Sequence, residues 1–401
     1  MVTLKHIQEA NQRLKNIVQY TPLIHSSILS NEFNNNIYLK KENLQITGSF
    51  KIRGSFNTLS LLTKEQRDLG VIAASAGNHA QGLAYSAKYF DCKAKIFMPE
   101  ATPLTKIGGV KSYGAQVILK GKNYDESFKI AKEYALKNNQ EFIHPFANDN
   151  VIAGQGTMTL EIIEQFPTLE YLIVPVGGGG LITGSAIAAK SINPNIKIIG
   201  IVASGANAMK ESFDNQKPIN SKSVKTIADG IAVRDVDPKM LNYTMQYVDE
   251  IIQVNEQEIA NAVLFLLEKQ KLVVEAAGAV GIAAILHNKI KIENKNIVCM
   301  VSGGNIDVNM LSLIIEKGLI KSHRKIKLLI TLIDKPGSLM KLTNIIKNTD
   351  ANIVQIDYDR NSLDLEFGDA NVTICLETKG KDHQNKIKEN LIQNRYKFKE
   401  I

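Results

Sequence analysis

The chain has 401 residues, 44% of them apolar and 22% charged, with 48 Lys and Arg against 40 Asp and Glu for a formal net charge of +8. That size suits two or three domains with a well-buried core. Basic and acidic residues are interleaved, as in Lys64-Glu65-Gln66-Arg67-Asp68, which argues against a nucleic-acid partner and leaves only a modest pull on anionic small molecules.

Residues 4–19 read as an amphipathic helix, with Leu4, Ile7, Leu14, Ile17 and Val18 on its apolar side and Pro22 after its end. Short runs then alternate with helical segments. Val71–Ala74, Ala94–Met98, Gln116–Leu119, Tyr171–Val176, Lys197–Val202 and Ile297–Val301 are the clearest strands. Each is nearly continuous in apolar residues and closes on Gly, Ser or Pro, as expected of parallel strands buried on both faces with helices between them. The pattern predicts an α/β doubly wound architecture. Cys92, Cys299 and Cys375 lie far apart in apolar runs and read as reduced core residues, which favours a cytoplasmic setting. The start of the chain carries no apolar signal-peptide core. The longest nearly apolar stretch, Leu272 to Leu286, contains Glu275 and is too short to cross a bilayer, so no membrane partner is expected.

Near residue 320 the pattern changes. Lys321-Ser322-His323-Arg324-Lys325 is a polar link, after which Ile326, Leu328, Ile330 and Leu332 alternate as in a half-buried strand. Asp334-Lys335-Pro336-Gly337 is a turn, and Leu339, Leu342, Ile345 and Ile346 line one face of a helix. Val354, Ile356 and Tyr358 alternate again, as do Val372, Ile374 and Leu376. Ile387 and Leu391 suit a second helix, and Tyr396 and Phe398 a last strand. The order β-α-β-β-α-β describes a ferredoxin-like module over 326–401.

Four motifs carry the chemistry. Residues 47–54 read TGSFKIRG, 75–82 SAGNHAQG, 177–181 GGGGL and 302–305 SGGN. A lysine with an ordinary pKa of about 10.4 is protonated at neutral pH and nucleophilically poor, unless an aldehyde cofactor stores it in covalent linkage. Gly177, Gly178, Gly179 and Gly180 follow a strand and precede a helix that starts near Leu181. Successive backbone N–H groups there can close on a phosphate at the positive end of a helix dipole. The run does not fit GxGxxG, and nothing fits GxxxxGK[ST], so nucleotide readings are weak. Ser302 alone would read as a helix N-cap. His79 suggests a general base, but Lys51 is the stronger candidate. No His or Cys pair has zinc-ligand spacing, so no metal site is expected.

These four motifs occur in the order used by fold-type II pyridoxal-phosphate (PLP) enzymes. The chain resembles the threonine dehydratases (threonine ammonia-lyases) along almost its whole length, and the tail resembles an ACT domain, a small amino-acid-sensing module. The resemblance implies two open parallel-sheet subdomains in a PLP-dependent domain over 1–320, the smaller inserted at about 50–150. A linker at 321–325 and an ACT-like regulatory domain at 326–401 follow. It implies that Lys51 carries PLP, that Phe50 packs on the pyridine ring, and that Asn78 touches the ring hydroxyl. By the same likeness Gly177 to Gly180 and Leu181 hold the phosphate, and Ser302 bonds the ring nitrogen. The backbone N–H groups of Ser75, Ala76, Gly77, Asn78 and His79 cradle the substrate carboxylate. Asn150–Thr157 (NVIAGQGT) frames the site, and Thr226–Gly230 (TIADG) lies near the cofactor.

The implied reaction is β-elimination from L-threonine, with L-serine a poorer substrate, in a homodimer or homotetramer with an amino-acid effector at Asp334 to Leu339. Serine racemase of the same fold is the nearest alternative. Its second base, a serine two positions before the cofactor-binding asparagine, is Ala76 here. Its divalent-cation glutamate is absent from Val202-Ala203-Ser204-Gly205. A non-catalytic amino-acid sensor is the remote alternative. Cysteine synthases share the fold but differ at the lysine and asparagine motifs.

Overall fold

In the computed structural model, which describes every residue except Asp364, the apolar runs form two parallel sheets. The strands are β1 Leu23–His25, β2 Asn36–Lys41, β3 Val71–Ala74, β4 Ala94–Met98, β5 Gln116–Leu119, β6 Glu141–Phe142, β7 Tyr171–Pro175, β8 Lys197–Ala203, β9 Glu250–Val254 and β10 Asn296–Val301. The smaller sheet runs β5-β4-β3-β6, parallel throughout. The larger runs β1-β2-β10-β7-β8-β9, parallel except where β1 meets β2. Helices cover both faces, so apolar residues run without alternation: all four residues of β3 and the last six of β8 are buried.

Four strands escaped the sequence reading. β1 and β6 have only three and two residues, β9 has charged and polar residues in its run, and β2 includes Lys40 and Lys41. The first helix also stops early, at Leu14 instead of residue 19. Lys15 turns extended (ψ 130°) and Asn16 is left-handed (φ 64°), which carries Ile17 and Val18 out of the helix.

The chain divides into two compact units, Met1–Asp307 and Val308–Ile401. The break thus precedes the helix Val308–Lys321 and does not fall at residue 320. Glu316 of that helix pairs with Lys325 at 2.6 Å, tying it to the unit that follows. The expected linker at 321–325 is the end of this helix, a turn, and the start of the next strand.

The second unit contains β11 Lys325–Ile333, β12 Asn352–Asp359, β13 Asp369–Glu377 and β14 Lys397–Glu400, with helices Ser338–Lys347 and Lys381–Gln393. The sheet order is β12-β13-β11-β14, antiparallel throughout, which is the ferredoxin-like arrangement. Ile326, Leu328, Ile330, Leu332, Val372, Ile374 and Leu376 are buried beneath the two helices as their alternation requires. Two expectations are corrected here. A bulge between Ile353 and Gln355 displaces Val354, so Val354 is exposed while Ile353 and Ile356 face the core. Tyr358, on the same face as Ile356, is exposed, with its hydroxyl donating to Asp334. Cys375 lies between two inward residues of β13, on the opposite face, and is half-buried, unlike the core residues Cys92 and Cys299.

The first unit hides a charged cluster. Arg53 and Lys40 are fully buried, as is Glu42, and Glu161 is 5% exposed. Arg53 donates from Nε and Nη2 to Glu42 at 2.9 and 2.7 Å, and from Nη1 to Glu161 at 2.6 Å. Lys40 donates to Glu161 at 2.6 Å, to the Thr21 carbonyl at 2.8 Å and to Gln165 at 3.1 Å. Two cations meet two carboxylates, so no charge is left unpaired. This balance explains how a lysine occupies a buried position of β2. Removing one partner strands the others in low dielectric: Glu161→Ala is expected to lower folding stability by about 3–5 kcal/mol. Urea unfolding, with Glu161→Gln as the milder comparison, measures the loss.

Candidate active site

Strand ends bring the four motifs together. Ser75 follows β3, Gly177 follows β7 within two residues, and Ser302 follows β10 directly. Their loops therefore meet at the carboxyl ends of parallel strands, the usual ligand position in open α/β sheets. They enclose a cavity of about 790 Å³, within the first unit. Lys51, Phe50, Ser75, Ala76, Gly77, Asn78, His79, Gly177 to Gly180, Leu181 and Ser302 all line it.

Lys51 is the first residue of the buried helix Lys51–Ser60. The chain before it is fixed by an antiparallel bridge from Ser49 to Gly303 and by the Phe50 N–H, which donates to the Ser302 carbonyl at 3.1 Å. The Lys51 amine donates to the Pro145 carbonyl at 3.1 Å and stands 5.2 Å from the Phe50 ring centre. Burial pushes this amine down to about 8, opposed by the charge of Glu275. The Pro145 carbonyl is itself held by a turn, because His144 Nδ1 accepts from the N–H groups of Phe146 and Ala147 at 3.3 and 2.9 Å.

The glycine run is packed from both sides. A Cβ on Gly177 would approach Ile231 Cα at 2.8 Å, and one on Gly180 would meet Phe146 Cβ at 2.9 Å. One on Gly178 would fall on the Phe146 ring. Gly179 has φ +90°, a conformation suited to glycine, and caps the helix Gly180–Ile192. Among the described residues, the six backbone N–H groups from Gly177 to Ile182 have no protein acceptor; the next, Thr183, returns to the Gly179 carbonyl at 2.9 Å. Ser302 is 3% exposed, and its hydroxyl likewise has no protein partner among the described residues. A nest of unspent donors at a helix N-terminus, a buried hydroxyl and an amine of lowered pKa fit a phosphorylated aldehyde with a ring nitrogen.

In the SAGNHAQG turn the expectation narrows. The Ser75 N–H is committed to the Phe97 carbonyl at 3.1 Å, as a continuation of the sheet, and the Gly77 N–H donates to the Ser75 hydroxyl at 3.2 Å. The N–H groups of Ala76, Asn78 and His79 remain for an anion. His79 is buried, with Nε2 3.0 Å from the Ile143 carbonyl and Nδ1 3.5 Å from the Ser55 hydroxyl. Burial and the nearby Lys51 push it down to about 3, so it is neutral and locked in place. The helix Asp149–Gln165, which contains NVIAGQGT, does not line the cavity. It packs behind the lysine helix, where Thr157 accepts from Arg53 at 3.3 Å.

Several cavity residues were missed. Pro145 and Phe146 follow the two-residue strand β6, too short to leave a sequence signal. Asn305, the last residue of SGGN, donates to the Thr47 carbonyl and to Asn78 Oδ1, both at 2.8 Å. Glu275 accepts from Asn78 Nδ2 at 2.7 Å; burial first, then Asp229, pushes its carboxyl up to about 7. At the rim, Lys106 pairs with Asp229, and Arg234 with Asp125 at 2.9 Å. Both pairs link the half built on the smaller sheet to the half built on the larger one. Asp229 and Gly230 of TIADG line the cavity as expected. Near Val202–Gly205, the Glu256 carboxylate arrives from a later helix and accepts from the Ile227 N–H at 2.7 Å.

Residues 14–303 match the family described as pyridoxal-phosphate dependent enzyme. The chain belongs to that family, and PLP is its cofactor. It is 45% identical to an L-threonine ammonia-lyase of Thermotoga maritima over 399 residues, covering 100% of this chain and 99% of the relative. Among solved structures it resembles the processed form of threonine deaminase isoform 2 from Solanum lycopersicum, with TM-score 0.75 and 37% identity over 79% of this chain and 90% of that one. Maize serine racemase superposes with TM-score 0.75 and 34% identity, over 80% of this chain and 99% of that one.

Because the added methyl of Gly178→Ala would fall on the Phe146 ring, the loop must shift and its donors must diverge. PLP affinity of the apo-protein, followed by visible absorption, is expected to fall at least about tenfold, the scale of one charge-assisted hydrogen bond.

Proposed function

We propose that the chain is a threonine ammonia-lyase, converting L-threonine to 2-oxobutanoate and ammonia, with L-serine a poorer substrate. The observation that supports this most is the Lys51 amine, lowered to about 8 in the cavity walled by the glycine run, Asn78 and Ser302. At pH 7 such an amine is neutral in roughly a tenth of molecules, about two hundredfold more than an ordinary lysine of pKa about 10.4.

The chain's residues divide the work. The N–H groups of Gly177 to Leu181 would hold the cofactor phosphate, Phe50 would pack on its ring, Ser302 would serve the ring nitrogen and Asn78 the ring hydroxyl. A neutral hydroxyl at the ring nitrogen, where a carboxylate would hold a proton, favours prompt elimination. The N–H groups of Ala76, Asn78 and His79 receive the substrate carboxylate. PLP supplies an aldehyde carbon for amine condensation and a conjugated ring that draws electron density from the substrate α-carbon. The Lys51 amine, at the head of its buried helix, would take the α-proton. The β-hydroxyl leaves as water, water then re-enters at the α-carbon, and the amino nitrogen departs as ammonia. The water lost and the water gained cancel in number, so the keto acid and ammonia together have the composition of threonine, with the β-oxygen lost and a water oxygen gained at the α-carbon.

Ala76 in the cavity wall bears no ionisable group, which favours elimination over racemisation because no serine stands at that place to reprotonate the second face. Lys51→Ala should abolish 2-oxobutanoate formation from L-threonine in a keto-acid assay. Near-normal turnover by that variant would refute the assignment.

We read the first unit as catalytic and the second as an ACT-like regulatory domain of a cytoplasmic homodimer or homotetramer. Among the described residues no helix is long and apolar enough to cross a membrane. The turn at Asp334 is built, not loose: Asp334 Oδ1 accepts from the Tyr358 hydroxyl at 2.9 Å and from Arg360 at 2.8 Å, and Gly337 has φ +83°. That fixed turn, at the start of the helix Ser338–Lys347, is where the amino-acid effector is proposed to act. An effector typically changes affinity by about 5–150-fold. Titration with branched-chain amino acids is expected to shift turnover or sedimentation, and flat curves in both would remove the sensing role.

A further inference from the structure

Glu275 belongs to none of the four motifs that build the cofactor cavity, yet it is 6% exposed and lines that cavity. It caps the buried helix Ala276–Leu286, and its N–H donates to the Gly303 carbonyl at 3.1 Å. The glycines around it leave room for the carboxylate. A Cβ on Gly303 would collide with Glu275 Oε1 and come within 3.2 Å of Asn78 Nδ2. A Cβ on Gly278 would come within 2.7 Å of the Gly303 carbonyl.

The polarity of the hydrogen-bond chain is forced from both ends. Asn305 Nδ2 donates to the Thr47 carbonyl, which can only accept. The same nitrogen therefore donates to Asn78, whose facing atom must be Oδ1. Asn78 Nδ2 is then turned to Glu275 Oε1 at 2.7 Å, and this oxygen accepts whether or not the carboxyl carries a proton on its other oxygen. One Asn78 N–H is spent on Glu275. The other is the one donor of the Asn78 side chain left for a ligand in the cavity.

We infer that Glu275 is a positioning residue that, with Asn305, orients the Asn78 amide so that its remaining N–H is presented to the bound cofactor. The inference rests on the reading of the cavity as a PLP site and adds to it a residue acting through Asn78. The charged groups facing Glu275 are Asp229, Lys106 and Lys51. None of these is in the hydrogen-bond chain, so the orientation depends on the acceptor oxygen and not on net charge. Free rotation of the Asn78 amide would let it present its oxygen to the ligand instead.

The test is a double-mutant cycle on apo-protein titrated with PLP, read by visible absorption and with thermal unfolding of each apo-variant as a control. Glu275→Ala and Asn78→Ala are each expected to weaken PLP binding about tenfold, the scale of one hydrogen bond to a charged group. The double variant should bind no worse than Asn78→Ala alone, because Glu275 acts through the amide already removed. Glu275→Gln, which keeps an acceptor oxygen, should restore binding to within about twofold. If Glu275→Ala does not fold, Glu275→Asp, whose oxygen is one methylene short, takes its place in the cycle with the same expectations. Independent, additive losses, or wild-type PLP affinity in the alanine or aspartate variant, would overturn the inference alone. Failure of the wild-type protein to take up PLP would overturn the cofactor reading and this inference with it.

Discussion

The pairing of Arg53 with Glu42 and Glu161 underlies the rest of the first unit. Arg53 is two residues from Lys51 on the same helix. Its guanidinium reaches the turn after β2 and the helix Asp149–Gln165 through five donor contacts of 2.6 to 3.3 Å. A planar fork with this many bonds allows little rotation or sliding of the helix that carries it. The amine at the head of that helix is therefore placed by a salt-bridge cluster behind it, where no cofactor or substrate needs to intervene. A purely apolar contact would supply comparable stability but would specify the helix register less tightly.

Close backbone approach is the second constraint, and it explains why glycines gather where they do. Gly54 and Gly154 bring the lysine helix against the helix Asp149–Gln165: a Cβ on Gly154 would meet the Arg53 carbonyl carbon at 2.9 Å. Gly156 and Gly184 do the same between that helix and the one following the glycine run. Thus the lysine helix and the helix that follows the glycine run share one partner, Asp149–Gln165. Residues 150–157 frame the cavity through this packing and not by lining it. Conformational freedom at positive φ accounts for Gly179 and Gly48, while most of the others near the site are glycine because a methyl group has no room.

What the sequence disclosed and what it hid follow the same division. Parallel strands buried on both faces leave long apolar runs, so β3, β4, β7, β8 and β10 were legible; β5, a part-exposed edge strand, was legible from its Val117-Ile118-Leu119 run alone. The lysine, the glycine run and Ser302 were legible because each belongs to a recognisable motif. Lys40 in β2 was not, since a buried cation paired from a helix 121 residues later looks like any surface lysine. Pro145 was hidden likewise, and Glu275 was visible only as the start of the stretch Glu275-Ala276-Ala277-Gly278 with no role: their contacts are hydrogen bonds to Lys51 and Asn78 from residues 94 and 197 positions away. In the second unit a one-residue bulge was enough to put Ile353 inward in place of Val354 at the start of β12, because period-two patterns carry no mark of an inserted residue.

The acid–base character of the cavity follows from burial more than from residue type. Two histidines line it, and both are driven toward the neutral form, His79 to about 3 and His144 to about 4, chiefly by loss of water. Each is also anchored to backbone, His79 at the Ile143 carbonyl and His144 at the Phe146 and Ala147 N–H groups. Both His79 nitrogens and Nδ1 of His144 are spent on architecture. Desolvation acts on Lys51 in the same direction, since it penalises any cation, but the lysine begins from a much higher ordinary value. The same burial that silences the imidazoles therefore brings one amine to about 8, where it can exchange a proton near neutrality. A lysine is suited to this cavity because its charge survives desolvation in part, whereas the charge of a histidine does not.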